Sequence, residues 1–337
     1  MRGEAEANPE PFLDNWEIQR PDIIETEIPR CARNRLRNLM GLLRCARNDR
    51  LLNVCLFRSF TIITNSEVMK MIRQPAVANQ FYPGTEADLK KDISGRIKQV
   101  KTKEKVLALV SPHAGYIYSG NVAGAVFSIA EITKDVIVMG PNHHGLGAPF
   151  AVMAQGTWKM PGGDISINEK LANLLIEESR WLCADDQAHT NEHSVEVQLP
   201  FIQYIRSDVE FVPVVLGRAD FTTCEEIGTA IARAIKRYGE PVVVIASTDM
   251  THYESQESAK QKDQLAIDRV LSLDPAGLLD TVDRNNISMC GVIPTTIALI
   301  AAKELGATEA RLVEYATSGD VSGDYGYVVG YAGFIIK

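Results

Sequence analysis

Three short apolar runs in this chain each end in a turn that carries histidine, and that arrangement constrains the fold more than any bulk property. Val106–Val110 leads into Ser111-Pro112-His113-Ala114-Gly115-Tyr116, and Val136–Met139 into Gly140-Pro141-Asn142-His143-His144. Val242–Ala246 leads into Ser247-Thr248-Asp249-Met250-Thr251-His252. Runs of four to six aliphatic residues bounded by Gly, Pro or Ser read as buried strands. In an open α/β sheet, ligands bind in the crevice beyond the carboxyl ends of such strands. Imidazoles converging there imply a metal ion or acid–base catalysis. All six histidines fall between His113 and His252.

Helical patterns separate the strands. Thr85–Val100 reads as a helix with Thr85 as N-cap, because Asp88 follows three residues on. Further helices are expected around 120–130, 168–179, 195–205, 223–237 and 294–305, with strands over 210–216, 310–316 and 325–336. This alternation predicts an α/β fold, with a mixed, mostly parallel central sheet flanked by helices.

The first 70 residues differ from the rest. Residues 1–68 contain no Lys and no His, and Arg30-Cys31-Ala32-Arg33-Asn34 is echoed by Arg44-Cys45-Ala46-Arg47-Asn48. Residues 1–70 are therefore expected to be an extension, disordered or mis-assigned, with Met69 or Met71 as the natural start. The folded domain is expected over 71–337.

Bulk properties exclude several classes. With 35 basic against 43 acidic residues, the net charge of −8 argues against nucleic acid or an anionic membrane as partner. No run approaches the roughly 18–20 apolar residues of a membrane span. Six scattered Cys without a CxxC pair suit a reducing cytoplasmic compartment. Walker A, Rossmann, HExxH and Gly-x-Ser-x-Gly patterns are all missing from the sequence.

The chemistry-bearing candidates follow from position. His113 and His143 close buried strands, so both are expected to face one site. Asp249 and His252 lie three apart, and a helical turn would put them on one side; Asp249 binds metal, orients an imidazole or caps a helix. His193 and Glu196 share the same spacing and would suit proton transfer. Cys290, beside Gly291 and ahead of a helix, would have a lowered pKa as thiolate ligand or nucleophile. The expected metal ligands are His113, His143, His252 and Cys290, and the expected catalytic groups are His193, Asp249 and Glu196. His189 reads as an ordinary loop residue.

Five ordered stretches carry a resemblance. Ser111-Pro112-His113-Ala114-Gly115-Tyr116, Gly140-Pro141-Asn142-His143-His144, Asn191-Glu192-His193-Ser194-Val195-Glu196, Ser247–Tyr253 and Met289-Cys290-Gly291 closely resemble the Memo family. Its prokaryotic members are called AmmeMemoRadiSam system protein B. The resemblance covers about Met71 to Lys337. It implies the LigB-like fold of class III extradiol, non-haem iron dioxygenases, with iron in the pocket and copper as an alternative; the imidazole and thiolate donors would also suit zinc. Residues matching His113, His143 and Cys290 would hold that metal, and the group's name implies AMMECR-type and radical SAM partners. A thiolate in place of the usual carboxylate departs from the dioxygenase pattern and makes catechol cleavage doubtful. Three functions follow: metal-dependent oxidoreductase chemistry on a small substrate, a non-catalytic metal-binding and partner-docking module, or a hydrolase using Cys290 as nucleophile.

Overall fold

The computed structural model describes residues 71–337, and the expected extension over residues 1–70 lies outside the described residues. Four parallel strands form the centre of a twelve-stranded sheet, in the order Glu210–Leu216, Asp135–Pro141, Val242–Ser247 and Ala108–Ser111. The last three are wholly buried, and Glu210–Leu216 is buried from Phe211 on. That is why they read as continuous aliphatic runs without the alternation of a half-exposed strand. The C-terminal strand Val328–Ile336 joins antiparallel beside Ala108–Ser111, with Phe334 opposite Val110, and carries Ala310–Thr317 on its far edge. The sheet is thus mixed and mostly parallel, as the alternating pattern implies.

Helices pack against the sheet in two groups. Tyr116–Ile129, Glu86–Arg96 and Leu199–Ile205 touch one another, while Phe221–Tyr238 packs with Val292–Glu304 and Glu169–Glu178. Local capping fixes their starts. The side chains of Thr85, Asn168 and Asp220 accept from the backbone N–H groups of Asp88, Leu171 and Thr223. Phe221–Tyr238 ends at Gly239 in the left-handed conformation, with φ of 84°.

Register places the site. Ser247 pairs with Ser111, so two residues further on Asp249 and His113 leave the sheet side by side. On the other flank Leu216 pairs with Pro141, and His143 follows two residues later. The expected helical turn joining Asp249 and His252 does not form. His252 opens a short strand, His252–Glu254, paired with Val329 of the C-terminal strand, and Tyr253 bulges between the pairs with φ of 60°. Such a bulge bends the strand and re-aims the side chain beside it.

Candidate metal centre

Ligand nitrogens of His113, His143 and His193 all lie within 4.8 Å of one another. His113 and His143 follow the ends of the two strands that flank Val242–Ser247, and His193 comes from the loop before the short helical turn Glu196–Gln198. The His113 ring meets the other two edge-on at 5.2 and 5.4 Å, and His143 stacks on His193 at 4.5 Å. Such crowding is adverse if the rings carry charge, and burial removes that charge. Desolvation first, then neighbouring imidazoles, push His113 down to about 3 and His193 down to about 4. Both are neutral near pH 7, the state in which imidazole binds metal.

Hydrogen bonds fix which nitrogen His113, His143 and His252 offer. His113 Nδ1 lies 2.9 Å from Ser247 Oγ. The single Ser247 hydroxyl proton goes to the Ser194 carbonyl at 2.7 Å, and Gln198 Nε2 donates to the same Oγ at 2.8 Å. With its proton committed, Ser247 can only accept from His113, so His113 is protonated at Nδ1 and presents the Nε2 lone pair. His143 Nδ1 donates to Glu192 Oε1 at 2.9 Å, and its backbone N–H donates to Oε2 at 2.8 Å. His252 Nδ1 donates to the Ser288 carbonyl at 2.9 Å. Each of these three rings is therefore anchored at Nδ1 with Nε2 left to accept.

Glu192 is fully buried and organises two of the histidines. Its Oε1 also accepts from Ser194 N at 2.9 Å and lies 3.6 Å from His193 Nδ1. Burial opposes its ionisation, but hydrogen bonding from His143 and Ser194 outweighs it and brings the carboxyl down to about 2. Asp249 behaves oppositely. Burial raises its carboxyl above the usual range, although Oδ1 accepts from the backbone N–H groups of His113 and Ala114. Its Oδ2 lies 4.0 Å from His113 Nε2.

Cys290 Sγ sits 3.3 Å from His113 Nε2 and accepts from Asp249 N at 3.2 Å. Gly291 makes this approach possible: a Cβ there would come within 2.4 Å of both Ser247 O and Thr248 Cβ. Without a metal the thiol departs from the lowered pKa expected of a helix start. Burial, then the Asp249 charge, push the thiol well above its ordinary value. A neutral thiol can donate to the His113 Nε2 lone pair, and only a nearby cation would favour the thiolate.

Sequence reasoning and structure part company at several residues. His193 stands in the imidazole cluster, whereas it was expected only as a proton-transfer group. His252, expected as a ligand, is not one of the three clustered donors; it lies close enough to act electrostatically on His113 and Asp249. Glu196 has no hydrogen bond or ion pair to His193. Its buried carboxylate pairs with Arg73 and accepts from Ala76 N, Val77 N and Tyr82 Oη. The carboxylate beside the histidines is Glu192, one residue before His193 and overlooked in the sequence. His189 is no ordinary loop residue either: it is fully buried in the turn Gln187–His189, with its ring 6.1 Å from Trp158.

The described region is similar to known proteins. The family described as Memo-like protein matches residues 73–335. A MEMO1 family protein of Methanopyrus kandleri is 42% identical over 281 residues, covering 79% of this chain and 99% of that protein. One from Pyrobaculum arsenaticum is 44% identical over 276 residues, covering 78% and 98%. One from Methanosarcina mazei is 42% identical over 268 residues, covering 79% and 99%. Among solved structures, an uncharacterized protein from Escherichia coli K12 aligns with a TM-score of 0.44 at 13% identity, over 68% of this chain and 98% of that one.

Proposed function

The chain belongs to the Memo-like family, and from that premise we propose that it is a mononuclear metal protein performing redox chemistry on a small substrate. The observation that carries this reading is the cluster of three imidazole nitrogens within 4.8 Å. The donor set fits a transition metal: burial keeps His113 and His193 neutral, and His113 and His143 are bonded at Nδ1, which leaves Nε2 of each to accept. His113, His143 and His193 would hold the ion. Cys290 supplies a soft donor beside His113, and His252, anchored at Ser288, stands ready as a further nitrogen donor.

Iron is the proposed ion, with copper or zinc as alternatives that the same nitrogen and sulfur set would accept. When bound, iron would supply electron transfer and oxygen activation. The protein's own groups do the remaining work. Asp249, whose carboxyl is raised by burial, is suited to hold a proton beside the His113 ring. His143 and His193 keep 28% and 18% of their side-chain surface exposed, whereas His113 keeps 2%, so approach is from the His143 side. The hydrolase reading, with Cys290 as nucleophile, leaves the three-imidazole cluster without a role.

Exposed tyrosines favour a second reading, a partner-docking module. Tyr253, next to His252, is 71% exposed, and Tyr325 and Tyr327 are 52% and 73% exposed. AMMECR-type and radical SAM proteins are the proposed partners. Metal analysis of anaerobically purified protein, followed by oxygen-electrode assays of the Fe(II)-loaded form, separates the readings. Stoichiometric iron with oxygen uptake that His113→Ala abolishes supports the redox reading. Stoichiometric metal with no oxygen uptake against any small reductant supports docking, and no metal defeats both.

A further inference from the structure

We propose that Arg73 is a positioning residue for the metal centre, fixing the Glu192–His193 loop against the two strand-borne histidines. The inference rests on the three-imidazole reading above. Unlike His113 and His143, His193 has no strand end to fix it. Its loop runs from His189 to Glu196, and Arg73 grips that loop at three points. Nε donates to the His189 carbonyl at 2.9 Å, Nη2 donates to the Glu192 carbonyl at 2.8 Å, and Nη1 pairs with the Glu196 carboxylate. The guanidinium lies over the Trp158 ring at 4.0 Å and is almost wholly buried.

The fork geometry of arginine is needed here. A planar guanidinium can address two carbonyls and a carboxylate at once, whereas a lysine ammonium is a point charge on a flexible stem. The rest of the same segment reinforces the grip. Ala76 N, Val77 N and Tyr82 Oη complete the bonds to Glu196, and the Phe81 ring lies 4.8 Å from the His193 ring. Arg73 itself sits on a two-residue strand that pairs with Thr157–Trp158, so the residue gripping the loop is tied to the sheet. Glu192, whose backbone carbonyl Arg73 holds, sends its carboxylate to His143 and Ser194. The guanidinium therefore fixes the main chain that carries both the third imidazole and the carboxylate orienting the second.

The test uses Co(II) as probe in the full chain, read by its visible ligand-field absorption and by calorimetry. Arg73→Lys keeps the positive charge opposite Glu196 but cannot make all three donations. Co(II) affinity should fall about 10- to 100-fold, as for other groups that orient metal ligands, and the ligand-field bands should shift. Arg73→Ala should recover affinity and bands when guanidinium is added at millimolar concentration. A merely structural role would lower the melting temperature and leave both readouts unchanged. If Arg73→Lys does not fold by near-ultraviolet circular dichroism, Glu196→Gln, which weakens the same grip from the other side, takes its place under the same outcomes. Native affinity and bands in the folded variant overturn the inference while leaving the metal reading intact. An unmodified chain that takes up no Co(II) defeats the metal reading itself.

Discussion

Replacing Ser247 by Ala tests the proton arrangement at His113 directly. The hydroxyl is fully buried, accepts from His113 Nδ1 and Gln198 Nε2, and donates to the Ser194 carbonyl. Gln198 Nε2 retains the Pro112 carbonyl at 2.9 Å, so it loses little. The Ser194 carbonyl and His113 Nδ1–H would be left unmet, and a buried group without a partner costs about 1–3 kcal/mol. Keeping its tautomer, the metal-free variant should lose about 2–6 kcal/mol, the sum of two such groups. Moving the His113 proton to Nε2 would leave Nδ1 an unmet acceptor in place of an unmet donor, and would place hydrogen where the lone pair faces the cluster. Either way metal affinity should fall at least about tenfold. Urea unfolding gives the first quantity and Zn(II) calorimetry the second. Long-range ¹H–¹⁵N correlation of the imidazoles reports the tautomer. A native His113 protonated at Nε2 would refute the reasoning, as would a variant with unchanged stability and affinity.

Glu192→Gln should weaken Zn(II) binding about 10- to 100-fold. Three N–H groups converge on the carboxylate, and an amide turns one acceptor into a donor. Calorimetry giving the native affinity would remove Glu192 from the site. Asp263 gives a pH prediction. Burial raises its folded carboxyl although Thr251 N and Tyr315 Oη donate to it, so the native state holds the proton more tightly than the unfolded chain. The stability that Asp263 contributes should decline as pH rises from about 4, the unfolded value, so Asp263→Asn should gain on the parent between pH 4 and 7. Urea midpoints that diverge in the opposite sense contradict this. Gly228→Ala should cost about 1–3 kcal/mol by overpacking, since a Cβ there would come within 2.7 Å of Ile300 between two helices. An unchanged urea midpoint would mean that this helix contact yields freely.

Strand positions were legible because the central strands are buried on both faces. Runs such as Val136–Met139 and Val242–Ala246 leave no alternative to a core strand, and the turns after them hold His113, His143 and Asp249. The cap at Thr85 was legible too, since it acts within three residues of itself. What stayed hidden depends on contacts distant in sequence. Glu196 has the spacing of a His193 partner, yet Arg73, 123 residues earlier, claims it. His193 lies in a loop whose direction is set by that same arginine, so spacing alone could not bring it to the strand ends. His252 follows Asp249 by a helical interval, but pairing with Val329 extends the backbone there. Burial also overrides position at Cys290. A helix start lowers a thiol pKa only when the charge is not desolvated, and this thiol is buried beside a carboxylate.

X-ray absorption at the metal edge of the loaded, full-length protein reads the central claim most directly. The account predicts one equivalent of transition metal per chain, scattering from three imidazoles, and loss of one imidazole in each of His113→Ala, His143→Ala and His193→Ala. Full loading with the imidazole signal unaltered by His193→Ala would contradict it.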